Sequence, residues 1–93
     1  MSFYWYQKAA ENGNEKAMYI LANFYMNGNN TQKDLEKAFY WYHKAIEFDY
    51  EIALYDLAKC YKNGIGTKKN LEIAFYWFKK AAEKENVVAL YNL

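Results

Sequence analysis

The sequence has no arginine and no proline, one cysteine, one histidine and four glycines in 93 residues. Each shortage removes a class of chemistry. All twelve basic residues are lysines, opposed by eleven carboxylates for a formal charge of +1. A nucleic-acid surface normally shows a basic excess and the bidentate forks that only arginine supplies, so no nucleic-acid partner is expected. A lone Cys60 excludes an internal disulfide and leans weakly toward a reducing, cytoplasmic setting. Cys60 and His43 together cannot complete a zinc site from the usual sulfur and nitrogen donors. No apolar run approaches the roughly 18 residues that a membrane span needs, and Met1 to Trp5 lacks the basic start of a secretory signal. At this length, one small domain or part of one is expected.

What the chain does have is aromatic residues, eleven tyrosines among them, and they recur. Trp5, Trp41 and Trp77 are 36 residues apart. Phe3-Tyr4-Trp5-Tyr6 returns as Phe39-Tyr40-Trp41-Tyr42 and as Phe75-Tyr76-Trp77-Phe78, and Ala17-Met18-Tyr19 returns as Ala53-Leu54-Tyr55 and Ala89-Leu90-Tyr91. More than half of the 36 pairs between residues 3–38 and 39–74 are identical, which identifies a repeat array.

Each repeat carries two amphipathic helices. Leu35, Ala38, Trp41, Tyr42, Ala45 and Ile46 fall at helical spacing, as do Ala53, Leu57, Cys60 and Tyr61. Gly28 and Gly64 stand where left-handed C-caps are needed, while Asp34 and Asn70 stand where side chains accept the first backbone N–H groups of a helix. Asn12-Gly13-Asn14 closes one helix and opens the next. The spacing predicts helices near 2–12, 15–27, 34–48, 51–63, 70–84 and 87–93, an all-α stack of antiparallel pairs.

The pattern Ala53-x-x-x-Leu57-Ala58-x-x-Tyr61-x-x-Gly64-x-Gly66, followed by Asn70, Ala74, Trp77-Phe78 and Lys80-Ala81-Ala82-Glu83, resembles the Sel1-like repeat, a relative of the tetratricopeptide repeat. The tetratricopeptide pattern itself fits less well, having a period of about 34 and a helix-ending proline that is missing here. The resemblance covers the whole chain: partial copy 1–13, full copies 17–49 and 53–85, partial copy 86–93. It implies a right-handed α-α superhelical solenoid acting as a non-catalytic adaptor for proteins or peptides. An alternative it leaves open is an accessory segment of a larger signalling enzyme such as a kinase fusion. The chain departs from the family in having Leu21-Ala22 and Leu57-Ala58 where Leu-Gly is common, and in lacking a second glycine in the loop Gly28-Asn29-Asn30-Thr31.

The repeat separates core from surface. Trp5, Trp41 and Trp77 are expected to pack between helices. Tyr19, Tyr55 and Tyr91 lie about 200° from the buried stripe of the first helix, a face that the resemblance turns into the concave groove. Lys16, Asn23 and Met26 accompany Tyr19, and Ile52, Lys59 and Lys62 accompany Tyr55. Rings that provide area at low entropic cost, beside amides and ammoniums that orient a ligand, suit a peptide groove. Packing on the adjacent repeat is the competing role for these tyrosines.

A second ladder, Tyr4, Tyr40 and Tyr76, lies on the other helix. His43 shares its repeat position with Gln7 and Lys79 and is read as solvated; Cys60 shares one with Phe24 and is read as core. No nucleophile and base pair, no raised carboxylate and no phosphate loop assembles, so no catalytic residue and no cofactor are expected. The chain starts in the second helix of one pair and stops inside the first of another. Its end faces are expected to continue into further repeats or to be covered by self-association.

Overall fold

The computed structural model describes residues 2–29 and 31–91, with side chains over 3–29 and 31–84. Five α-helices follow one another: α1 (Ser2–Glu11), α2 (Glu15–Asn27), α3 (Leu35–Glu47), α4 (Leu54–Asn63) and α5 (Leu71–Tyr91). No strand occurs among the described residues. Consecutive helices pack antiparallel as a solenoid, α2 against both α1 and α3, and α4 against α5, while α3 touches α4 more sparingly.

Local chemistry sets most helix ends. Asn14 Oδ1 accepts from Ala17 N at 2.9 Å, Asp34 Oδ1 from Lys37 N at 3.1 Å and Asn70 Oδ1 from Ile73 N at 3.1 Å, so three helices start on side-chain caps. Gly28 and Gly64 end α2 and α4 in the left-handed region, their amides returning to Phe24 O and Cys60 O. The helix expected over 51–63 opens instead with a 3₁₀ turn at Glu51–Ala53. Tyr50 stands where the first copy has the capping Asn14 and makes no side-chain cap bond, so the first turn tightens.

The break expected between 84 and 87 is absent, and α5 runs unbroken to Tyr91. In the two earlier junctions the chain reverses through a residue at positive φ, Gly13 at 94° and Asp49 at 67°. Thirty-six residues on, that position is Glu85. Glutamate favours continued helix far more than a left-handed turn.

The core is narrow and built largely from small residues. Ala10, Ala17, Ala22, Ala38, Ala45, Ala53, Ala58, Ala74 and Ala81 are buried, with Met18, Leu21, Tyr25, Tyr42, Leu54, Leu57 and Cys60 between them. Trp41 and Trp77 pack partly buried against this core, as expected. Trp5 does not; it is 63% exposed. Trp41 lines a cleft with Ala10 and Gly13 of the preceding copy and Met18 of its own, and Trp77 one with Ile46 and Asp49 of the preceding copy and Leu54 of its own. Trp5 has no preceding copy among the described residues to supply such a wall.

Repeats are joined by aromatic edges and by one close backbone approach. Phe3 meets Tyr25 edge-on at 5.5 Å and Phe39 meets Tyr61 in the same way at 5.4 Å. Gly66, at φ 69°, lies so close to the Leu35 carbonyl and Phe39 Cβ that a methyl group there would collide with both. Its counterpart in the preceding loop, Asn30, lies outside the described residues.

Gly66→Ala therefore combines a left-handed penalty of about 1–2 kcal/mol with a forced separation of the loop from α3. Gly13→Ala carries the first penalty alone, because its added Cβ would meet Phe48 Cε2 at an ordinary 3.6 Å. Urea denaturation is expected to rank Gly66→Ala clearly below Gly13→Ala in stability.

Candidate functional site

The face presented by α2 and α4 is read from the residues outward. Lys16 is exposed on α2, and the equivalent Ile52, in the 3₁₀ turn before α4, is 62% exposed. One to two turns on, Tyr55 is 37% exposed with its ring 6.2 Å from Phe78, and Lys59 and Lys62 are exposed beyond it. Met26 is partly buried against the core, unlike its counterpart Lys62. The side chain of Tyr91 lies outside the described residues.

Tyr19 departs from the expected ladder. Its ring is half-buried in the seam between repeats, 5.8 Å from Tyr42 and 5.5 Å from Tyr50. The competing role, packing on the adjacent repeat, holds for Tyr19, whereas Tyr55 keeps an open face. The physical reason is Tyr50, a residue replacing the small Asn14 at the same repeat position and adding a ring that Tyr19 leans against.

Tyr19 also sits in a polar cluster with Asn23, Tyr42 and Asp56. Tyr42 on α3 donates to Asn23 Oδ1 on α2 at 2.5 Å. The Tyr19 hydroxyl accepts from Asn23 and donates to the Asp56 carboxylate on α4. Burial pushes Tyr42 well above the ordinary tyrosine range, with the Asp56 charge adding to it. Burial likewise raises Tyr19, and it raises Asp56 above its ordinary 3.8 even though the Tyr19 hydrogen bond and the Lys59 ammonium act in the opposite direction. No buried side-chain polar atom lacks a partner among the described residues.

Asp56 and Tyr50 were not singled out by the sequence reading. The available signal was a break in the repeat: Asp56 stands where the first copy has Ile20, and Tyr50 where it has Asn14.

The remaining candidates fall as the repeat comparison predicts. His43 Nδ1 lies 3.1 Å from Glu47 on an open helix face. Cys60 is fully buried, and burial together with the Asp56 charge pushes its thiol up to about 11, so it remains protonated at neutral pH. The second ladder does stand on the surface: Tyr4, Tyr40 and Tyr76 are each about half exposed, each edge-on to the adjacent tryptophan, with Lys8, Lys44 or Lys80 over the ring at 5.6–5.8 Å. Among the described residues no helix is long and apolar enough to cross a membrane.

With this geometry in place, comparison with known proteins identifies its kin. A sequence model of the Sel1 repeat matches residues 1–14, 15–47 and 52–86. Among solved structures, the chain is similar to a Sel1 repeat protein from Oxalobacter formigenes, with a TM-score of 0.81 and 38% identity over 87% of this chain and 33% of that one. It is similar to cysteine-rich protein B of Helicobacter pylori, with a TM-score of 0.81 and 32% identity over 87% of this chain and 61% of that one. It is also similar to c5321, a protective antigen of uropathogenic Escherichia coli strains displaying an SLR fold, with a TM-score of 0.83 and 39% identity over 88% of this chain and 18% of that one. The chain thus spans about a third of the first of these proteins and under two thirds of the second. No curated protein matches it.

The raised Asp56 carboxyl yields a pH dependence with a definite sign. Ionising it costs folding free energy, so its stabilising contribution is complete below its ordinary 3.8 and is lost as pH rises through the higher folded value. Asp56→Asn keeps an acceptor for Tyr19 and removes the charge. Thermal melts are expected to show the variant above the wild type at pH 7 and the gap closing as pH falls below that value.

Proposed function

We propose that this chain, which belongs to the Sel1 repeat family, holds a peptide or protein segment along the face of α2 and α4, its concave groove. Sel1 repeat proteins are generally non-catalytic helical scaffolds for protein interactions. The observation that carries the finer reading is the strip Ile52, Tyr55, Lys59 and Lys62, four consecutive positions of one helix face that stay exposed while Ala53, Leu54, Leu57 and Ala58 beside them are buried.

The strip offers apolar area at Ile52, a ring with a polar tip at Tyr55 and two ammoniums. Tyrosine presents a large contact surface with few rotamers to freeze, and such residues dominate the energy of many interfaces. Lys16 extends the strip across the first copy. Tyr19 and Asn23 border it, beside the bond from Tyr42 to Asn23 that joins α3 to α2.

The two roles are separable by experiment. Peptides selected on the immobilised chain are expected to bind the Ile52→Ser/Tyr55→Ser variant at least about tenfold more weakly, a change of roughly 1.4 kcal/mol, with the helical circular-dichroism signal retained. Tyr19→Ser is expected to lower the melting temperature as well. Undiminished binding by the double variant would remove this face from the account.

A further inference from the structure

The two full copies carry the same stripe on their first helices and use it differently. In the first copy it runs Lys16, Tyr19, Asn23 and Met26; in the second, Ile52, Tyr55, Lys59 and Lys62. The first copy spends its stripe internally. Tyr19 lies against Tyr42 and Tyr50, Asn23 accepts from the Tyr42 hydroxyl, and Met26 packs on the core. The second copy cannot repeat the central bond, because Phe78 stands where Tyr42 does and has no hydroxyl, and Lys59, in place of Asn23, has no oxygen to accept one. Lys59 and Lys62 are exposed, and Tyr55 remains 37% exposed.

The same replacements change the charge of the stripe. An amide and a thioether become two ammoniums, three residues apart and so on one helix face. Neither forms an ion pair among the described residues. The carboxylates around them are otherwise engaged or face elsewhere. Asp56 is partly buried and takes the Tyr19 hydroxyl, with the Lys59 ammonium acting on it across one turn. Glu51, at the start of the stripe, pairs with Lys84 at 3.2 Å. Glu15 lies at the far end of the neighbouring α2, beside the exposed Lys16. Glu72 stands four residues before Tyr76 on α5 and shares the face of the second ladder.

Granted the α2 and α4 groove, on which this reading rests, we propose that its binding energy is concentrated on α4 and that its ligand is an acidic segment of a partner protein. An apolar side chain of that segment sits against Ile52 and Tyr55, and its carboxylates meet Lys59 and Lys62. Tyr55 and Lys62 are seven residues apart, about 10 Å along a helix that rises about 1.5 Å per residue. An extended chain covers that distance in about three residues, which sets the spacing between the apolar residue and the carboxylates. A phosphate polymer fits less well, since one end of the stripe is apolar and the chain has no arginine fork.

The test uses a fluorescein-labelled peptide with one leucine and, about three residues on, a pair of glutamates. One sister peptide has lysines for the glutamates and another has serine for the leucine. Fluorescence polarisation with the full chain is expected to show the acidic peptide binding at least about tenfold more tightly than either sister. Its preference over the basic peptide is expected to shrink in about 0.5 M salt, where charges are screened within a few ångströms. Lys59→Asn/Lys62→Met, which writes the first copy's residues into the second, is expected to lower the affinity at least about tenfold with the circular-dichroism signal retained. Lys59→Glu/Lys62→Glu is expected to reverse the order of the acidic and basic peptides. Equal binding of those two peptides that Ile52→Ser/Tyr55→Ser still weakens overturns the acidic assignment and leaves the groove standing. Acidic-peptide binding that Ile52→Ser/Tyr55→Ser does not weaken removes the groove and this proposal together. No binding of any of the three peptides, unchanged affinity in both lysine variants, displacement by inorganic phosphate at the peptide's own concentration, or a dimer in sedimentation that excludes the peptide also overturns the proposal.

Discussion

The close approach of helices at buried alanines is the constraint on which the rest of the molecule depends. Among the described residues, nine of the sixteen buried apolar ones are alanines, so little side-chain volume separates neighbouring helices. Helix axes that meet at small residues sit at the short end of the usual 8–10 Å range. Tyrosine rings lie in the seams, where Tyr42, Tyr25 and Tyr61 close the junctions, and on the outside, where Tyr4, Tyr40 and Tyr76 stand. The unusual tyrosine content follows from this division: a ring with a hydroxyl can finish a seam whose outer edge is wet.

Function follows from the same division. A surface residue in a repeat array is held in place by the seam beneath it. The bond from Tyr42 to Asn23 ties α3 to α2, and Tyr19 and Asp56 lie beside it where the two full copies meet. In the proposed groove, those groups would act on binding through geometry and the exposed strip by contact.

What was legible in the sequence was whatever depends on near neighbours along the chain. Asn14, Asp34 and Asn70 cap as their spacing foretells, Gly28 and Gly64 take left-handed caps, and Cys60 is core because its counterpart is Phe24. Helical periodicity reports the face on which a side chain lies; it says nothing about what an adjacent copy brings to that face. Tyr19 illustrates the limit, since its angle matches that of Tyr55, yet Tyr50 and Asp56 draw it into a seam. Trp5 shows the converse: a core residue by pattern, it is exposed because the wall it needs belongs to another copy. The junction at Glu85 was hidden for a different reason, because repeat symmetry predicted a turn that the local residue does not favour.

The most direct test of the alanine constraint is urea denaturation of Ala45→Leu, at a fully buried position of α3 beside Tyr42. The added bulk has no space to occupy between α3 and α2 and must part them. A loss of about 1–3 kcal/mol, together with a weakened Tyr42 to Asn23 bond seen as a changed tyrosine signal, is the predicted result. A midpoint equal to that of the wild type would mean that the helices have room to spare, and would contradict the account.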